Sequence, residues 1–188
     1  MKKYLFFLLA LNSFYTTVAQ ESSDQMLVGE RSWRVPRLPV ENGEITYTGK
    51  VLLEGMTKES LYTKAYYWLK HNLRSDDIDM RVHDKRTGQI AGKGKIMYTQ
   101  NVTASNAAQG IYFDYDIRLD DGGYTYKLDN FRGIVTSDQM DYSAMYREEL
   151  NKVDGAGRWT HKYRYEMLSD LNSFVTLFLQ GLKAELAR

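Results

Sequence analysis

Acidic side chains recur in closely spaced pairs along this sequence, and such pairs can carry chemistry. One residue separates Asp114 from Asp116, and one residue separates Asp77 from Asp79. In a strand the two members of each pair would point to the same side, where paired carboxylates can bind calcium or act as acid and base. The Asp-Tyr-Asp spacing lacks the glycine and the terminal glutamate of a calcium loop, so we expect no metal and no cofactor.

The three histidines are the next candidates for catalysis. They are His71, His83 and His161, and no two of them have the spacing of a helical metal-binding motif. The sequence contains neither the Gly-x-Ser-x-Gly motif of serine hydrolases nor a cysteine nucleophile. A hydrolase-like site near His83 and neighbouring acids therefore stays as the alternative to a non-catalytic role.

Other charged residues alternate with apolar ones along the predicted strands, so they would share one uncovered face of a sheet. Their signs nearly cancel, which fits either a solvated surface with cross-strand ion pairs or a binding surface for an envelope protein, a peptide or a glycan. The net charge is +1 and Tyr112 is the one outward aromatic of the well-defined strands, so nucleic acid is not an expected partner. The predicted ligand-binding residues are Lys50, Arg81, His83, Lys93, Lys95, Tyr112, Asp114, Asp116 and Arg118.

Residues 43–73 organise the chain, because they predict one strand, one tight turn and one amphipathic helix. Within the strand, Gly49 interrupts the apolar parity and indicates a bend or a bulge. Thr57 is well placed to cap the helix, since its hydroxyl can accept a bond from a first-turn amide. The apolar positions on one side are Ile45, Tyr47, Val51 and Leu53 in the strand and Leu61, Ala65, Trp68, Leu69 and Leu73 in the helix.

Four further strands in a meander follow this helix. In the first of them, Met80 and Val82 alternate with Arg81 and His83, so the two apolar residues should point inward and the two polar residues outward. The other three strands show the same alternation, which is clearest at residues 111–119. Their predicted positions are residues 90–98, 111–119 and 124–128.

Turns and two more helices complete the pattern. Gly88 should take a positive φ in the hairpin loop at residues 84–88. Asp138 should cap a short helix that reaches Lys152, and a final helix should run from about Tyr165 to the end of the chain. The order strand, helix, four strands, helix predicts an α+β fold, a two-layer sandwich in which both helices cover one face of an antiparallel sheet of about five strands.

The N-terminus has the pattern of an export signal. Lys2 and Lys3 precede an apolar run at residues 4–11, and Ala19 offers a cleavage position. The run is shorter than the ~20 apolar residues of a membrane-spanning helix, so we expect no transmembrane segment in the mature chain. Without cysteine the chain cannot be a lipoprotein, which predicts a periplasmic or extracellular protein. The predicted organisation is a signal peptide at 1–19, an extended and partly mobile leader at 20–42, and one domain at 43–188.

Two stretches of sequence resemble a known family. GEITYTGKVLLEGMTKESLYTKAYYWL and VHDKRTGQIAGKGKIMY are similar to an exported bacterial domain family of unknown function that has a TATA-binding-protein-like (TBP-like) fold. The resemblance covers residues 40–98 and implies a TBP-like sandwich and a location in the bacterial envelope, but it implies no reaction. We therefore interpret the protein as a non-catalytic binding or accessory module of the envelope.

Overall fold

The structure is a computed structural model that describes residues 25–26, 33–34, 36–73, 79–98, 109–135, 138–141, 143–144 and 158–188. The predicted signal peptide at residues 1–19 lies outside the described residues, and so does most of the predicted leader at 20–42.

Short strands precede a long strand–helix–meander unit. In chain order the described elements are β1 (Gln25–Met26), β2 (Trp33–Arg34), β3 (Val40–Glu41), β4 (Glu44–Ile45), β5 (Tyr47–Leu52), α1 (Lys58–Asn72), β6 (Asp79–Asp84), β7 (Gln89–Tyr98), β8 (Gln109–Asp120), β9 (Gly123–Val135), β10 (Asp138–Asp141) and α2 (Arg158–Leu186). Strands β1 and β2 form one small antiparallel ladder, and β3 and β4 form another.

The main sheet is antiparallel and five strands wide, with the order β5–β9–β8–β7–β6. Strand β10 pairs with the second half of β9, along the same edge that β5 occupies in the first half. The element order and the strand pairing confirm the predicted α+β fold.

Both helices pack on one face of this sheet, where alternate residues of β8 are almost fully buried, as predicted. The apolar stripe of α2 from Leu168 to Leu186 is buried against them, which confirms the predicted side of that helix. The helix begins at Arg158, before the predicted start near Tyr165. The apolar periodicity starts only at Met167, so it gave no signal for the first turns.

The ring of Phe113 lies at the centre of this packed layer. Its centroid is 5.6 Å from that of Phe174 and 5.4 Å from that of Phe178, both on α2. The ring also stacks on Phe131 of β9, at 6.0 Å between centroids. On the neighbouring strand, a Cβ added to Gly94 would lie only 2.8 Å from Phe113 Cζ. A glycine at this position leaves the room that the phenyl ring occupies.

A bulge in β6 makes the predicted orientation of its last residues wrong. The register runs from Asp79 opposite Lys93 to Val82 opposite Ala91, so β6 carries one extra residue between these pairs. Met80 still packs against the core, but Val82 turns to the uncovered side and is 37% exposed. His83 consequently pairs with the buried Ile90 and lies on the helix side of the sheet.

Gly49 does not mark a bend or a bulge, because the pairing of β5 with β9 is continuous from Tyr47 to Leu52. Gly49 instead lies under the ring of Tyr126, and a Cβ at this position would be 2.5 Å from the tyrosine Oη. The reason for the glycine is the close approach of this ring.

The predicted helix start at Asp138 is also wrong, since residues 138–141 form strand β10. The capping carboxylate is Asp141, whose Oδ1 accepts bonds from the backbone N–H groups of Ser143 at 2.8 Å and Ala144 at 3.1 Å. The buried Ser143 Oγ in turn accepts a 2.9 Å bond from the backbone N–H of Ile45. The rest of the predicted helix, to residue 152, lies outside the described residues.

Two side-chain oxygens accept hydrogen bonds from the backbone at the start of α1. Thr57 caps the helix as predicted, with its Oγ1 accepting a bond from the backbone N–H of Ser60 at 3.3 Å. A second acceptor comes from the turn between β8 and β9, where Asp121 Oδ1 takes a 2.7 Å bond from the backbone N–H of Lys58. Gly88, in the neighbouring hairpin, has φ 73°, which confirms the predicted positive φ.

Truncation of Trp68 tests the packing between the helices. The indole contacts Phe178 at 5.1 Å between centroids and lies over Gly181. Because the side chain is only partly buried, we expect Trp68→Ala to lower the free energy of unfolding by about 3 kcal/mol, the low end of the range for buried aromatics. The neighbouring Tyr67, which is 65% exposed, supplies the control. Urea denaturation should show a loss below about 1 kcal/mol for Tyr67→Ala; equal losses in the two variants would contradict this packing.

Candidate functional site

The face of the main sheet opposite the helices is the candidate site, and we call it the open face. It is formed by the residues of β5, β7, β8 and β9 that alternate with the buried ones, and these residues pair with one another across the strands. Its charged and aromatic members are Lys50, Lys93, Lys95, Tyr112, Asp114, Asp116, Arg118, Lys127, Asp129 and Arg132.

Seven of the nine predicted ligand-binding residues share the open face, and two do not. The seven are Lys50, Lys93, Lys95, Tyr112, Asp114, Asp116 and Arg118. Arg81 is exposed at the bulge of β6. His83 lies on the helix side, where its ring is 6.3 Å from the ring of Tyr66.

The structure does not bring His83 together with the acids that a hydrolase-like site would use. Asp114 and Asp116 lie on the other face of the sheet from His83. The carboxylate of the neighbouring Asp84 stabilises the hairpin loop that follows it, because its Oδ1 accepts bonds from the backbone N–H groups of Arg86 and Thr87. Desolvation alone would raise the pKa of the Asp84 carboxyl, but these amide bonds outweigh it and hold that pKa below its ordinary value.

Ion pairs occupy the half of the open face near the β8–β9 turn. Arg118 and Asp116 are 3.2 Å apart, and Lys127 and Asp129 are 2.6 Å apart. The hydrogen bond to Asp129 raises the pKa of the Lys127 ammonium. Both pairs join residues two apart on one strand. They therefore run along the strands, whereas the sequence predicted ion pairs across the strands.

The other half of the open face contains a second bulge. The pairing of β8 with β9 shifts by one residue between Tyr112 and Asp114. The extra residue is accommodated at Asn130, which has φ 53°, a left-handed conformation that asparagine adopts more readily than most residues. Asn130 Nδ2 donates a 3.1 Å hydrogen bond to Asp114 Oδ2.

A depression of about 250 Å³ lies at this bulge, and we call it the bulge pit. Its lining residues are Lys93, Tyr112, Phe113, Asp114, Asn130 and Arg132. A smaller depression of about 160 Å³ lies at the opposite end of the face, beside Lys50 and the 68% exposed Leu52.

Two cations of the bulge pit have no carboxylate partner within the described part of the chain. In the register Lys93 stands between Asp114 of β8 and Asp79 of β6. It forms no ion pair with Asp114, which bonds to Asn130 instead. Arg132 stands between Tyr112 of β8 and Asp141 of β10, and it forms no ion pair with Asp141, whose Oδ1 accepts two backbone bonds. The ring of Tyr112 has the Lys95 Nζ at 5.1 Å from its centroid. The pit therefore combines positive charge with one anchored carboxylate.

Sequence reasoning missed Asn130 and Arg132 as members of the site. One signal could have identified them, since Leu128 and Phe131 are both apolar but are three residues apart in a strand of period two. Both are buried, and this spacing requires one extra residue between them.

The described ranges contain no group of three or more histidines and acids placed to hold a metal ion. Neither of the two helices described has the combination of length and apolar composition needed to cross a membrane.

Comparison with known proteins gives the family and the fold. Residues 47–133 match the family model for a domain of unknown function, DUF4468, with a TBP-like fold. A crystal structure of a DUF4468 family protein from Bacteroides ovatus superposes with a TM-score of 0.63 at 16% identity, covering 80% of this chain and 91% of that one. A TBP-like protein from Parabacteroides distasonis gives a TM-score of 0.61 at 15% identity, covering 79% of this chain and 96% of that one. Comparison with curated proteins gave no match.

At these identities the two structures are informative about the fold alone, and they agree with the sandwich described above. Residues 47–133 thus match the DUF4468 family, a domain of unknown function with a TBP-like fold.

Proposed function

We propose that the protein is a non-catalytic binding module of the bacterial envelope and that its open face binds the ligand or partner. The observation that supports this most directly is the bulge pit, where no described helix covers the sheet and where Lys93 and Arg132 form no ion pair with any side chain that the structure describes. Charged side chains without partners are available to a ligand, whereas those already paired would first have to be released.

The polar character of the open face favours a peptide, a glycan or a polar protein surface. Cations and carboxylates alternate there, so the face offers hydrogen bonds of both polarities rather than one strong field. The Lys95 ammonium near the ring of Tyr112 occupies a position that a stacked base would need. We therefore do not propose nucleic acid as the ligand.

The proposed location rests on the N-terminal sequence. Lys2 and Lys3, the apolar run at residues 4–11 and Ala19 together form the pattern of a cleavable export signal. Because the chain has no cysteine for a lipid anchor, the proposal places the mature protein in the periplasm or outside the cell.

Glycan and peptide arrays probed with the full chain test binding at the open face. We expect a ligand whose signal falls at least tenfold in Tyr112→Ala and is unchanged in Tyr67→Ala. Both side chains are tyrosines, but Tyr112 lies on the open face and Tyr67 is exposed on α1. A ligand whose binding is lost in Tyr67→Ala and retained in Tyr112→Ala would place the binding site on the helices and contradict the proposal. The absence of any bound ligand on the arrays would also contradict it.

Cell fractionation tests the proposed export. When the full chain is expressed in a bacterial host, we expect a mature protein outside the cytoplasm with Gln20 as its first residue. The variant Leu8→Arg puts a charge into the apolar run and should keep the chain in the cytoplasm, uncut. A wild-type chain that stays in the cytoplasm with its N-terminus intact would contradict export.

A further inference from the structure

We infer that the bulge pit binds an acidic sugar, a ligand with a carboxylate or phosphate oxyanion and a neighbouring hydroxyl group. This inference rests on the proposed function, because it names the ligand class for the same open face. It follows from the positions of two cations, the hydrogen bonding of one carboxylate and the size of the pit.

The two cations flank strand β8 from both sides. Lys93 lies on β7 and Arg132 on β9, and each of these strands pairs with β8 at the pit. Neighbouring strands are ~4.8 Å apart, so the two backbones are about 10 Å apart, and both side chains are long enough to reach an oxyanion placed over β8. The planar guanidinium of Arg132 can donate two parallel bonds to a carboxylate or phosphate, and Lys93 adds a point charge.

The contrast with Arg118 and Lys127 explains why the anion would choose this pit rather than the half of the face near the β8–β9 turn. Arg118 and Lys127 are already bonded to Asp116 and Asp129. An anion arriving there would compete with carboxylates that are part of the same strands. In the pit the carboxylate of Asp114, which stands opposite Lys93 on β8, is bonded to Asn130 and forms no ion pair with Lys93.

Asp114 makes a bare anion a poorer ligand than a hydroxylated one. Its carboxylate would repel an oxyanion, but Asn130 anchors only its Oδ2 atom. The second oxygen, Oδ1, can still accept a hydrogen bond from a ligand hydroxyl. A ligand that carries both groups satisfies the cations and the carboxylate together, as the acid and alcohol groups of a sugar acid or a sugar phosphate would.

The size of the pit limits the ligand to about one sugar unit. Its volume of about 250 Å³ is below the ~300–1,000 Å³ of pockets that enclose drug-sized molecules. Because no described helix covers the pit, the unit can be a free monosaccharide or one residue of a longer glycan.

Isothermal titration calorimetry on the full chain tests the inference with four probes. They are glucuronate, glucose 6-phosphate, inorganic phosphate and glucose. We expect glucuronate or glucose 6-phosphate to bind, the better of the two identifying the oxyanion as carboxylate or phosphate. Inorganic phosphate should bind at least fivefold more weakly than the better sugar, because it gains nothing from Asp114, and glucose should not bind.

Matched variants locate the binding to the pit. Lys93→Gln and Arg132→Gln should each weaken the binding of the better sugar at least tenfold, since each removes a charge-assisted hydrogen bond. Lys50→Gln is the control, because Lys50 is on the same face but lines the other depression, and its effect should be below twofold. Thermal melts of all three variants confirm that each is folded.

Three results would overturn the inference. They are equal binding of glucose and glucuronate, equal weakening by Lys50→Gln and Lys93→Gln, and no binding of either acidic sugar. If the acidic sugars fail while an array ligand still depends on Tyr112, the acidic-sugar inference is wrong and the open-face proposal stands. If the array ligand does not depend on Tyr112 either, both are wrong.

Discussion

The contact between the Phe113 ring and the surface of Gly94 is the one on which the rest of the architecture depends. Phe113 points from the middle of the sheet toward the helices and meets Phe174 and Phe178 of α2. A side chain at position 94 would overlap the ring and would also lie 3.0 Å from Leu73 Cδ2. The missing side chain on β7 therefore lets both helices approach the same face of the sheet, and neither described helix lies on the opposite face.

Two bulges then decide which polar groups reach that uncovered face. The bulge in β6 turns His83 toward Tyr66 and away from Asp114 and Asp116. The bulge at Asn130 changes the open face itself, since it supplies the amide that bonds Asp114 opposite Lys93. One extra residue in each strand thus separates the acids from the histidine and creates the bulge pit.

Periodicity in the sequence was sufficient to predict the layers of the fold. The alternation along β8 and the apolar stripes of α1 and α2 gave the correct buried side, because burial is repeated at every second or every third to fourth residue. The bulges and the Asp121 bond to Lys58 were not predicted, since they depend on pairing between distant segments. For the same reason the site prediction included seven residues of the open face but missed Asn130 and placed His83 on the wrong side.

A double-mutant cycle between positions 94 and 113 tests the central claim, that the close packing of Phe113 over Gly94 holds the helices on one face. By urea denaturation, Gly94→Ala should lower the free energy of unfolding by about 1–3 kcal/mol in the wild-type background. In the Phe113→Leu background the ring is gone, so the same substitution should cost at least ~0.5 kcal/mol less. Equal losses in both backgrounds would contradict the claim.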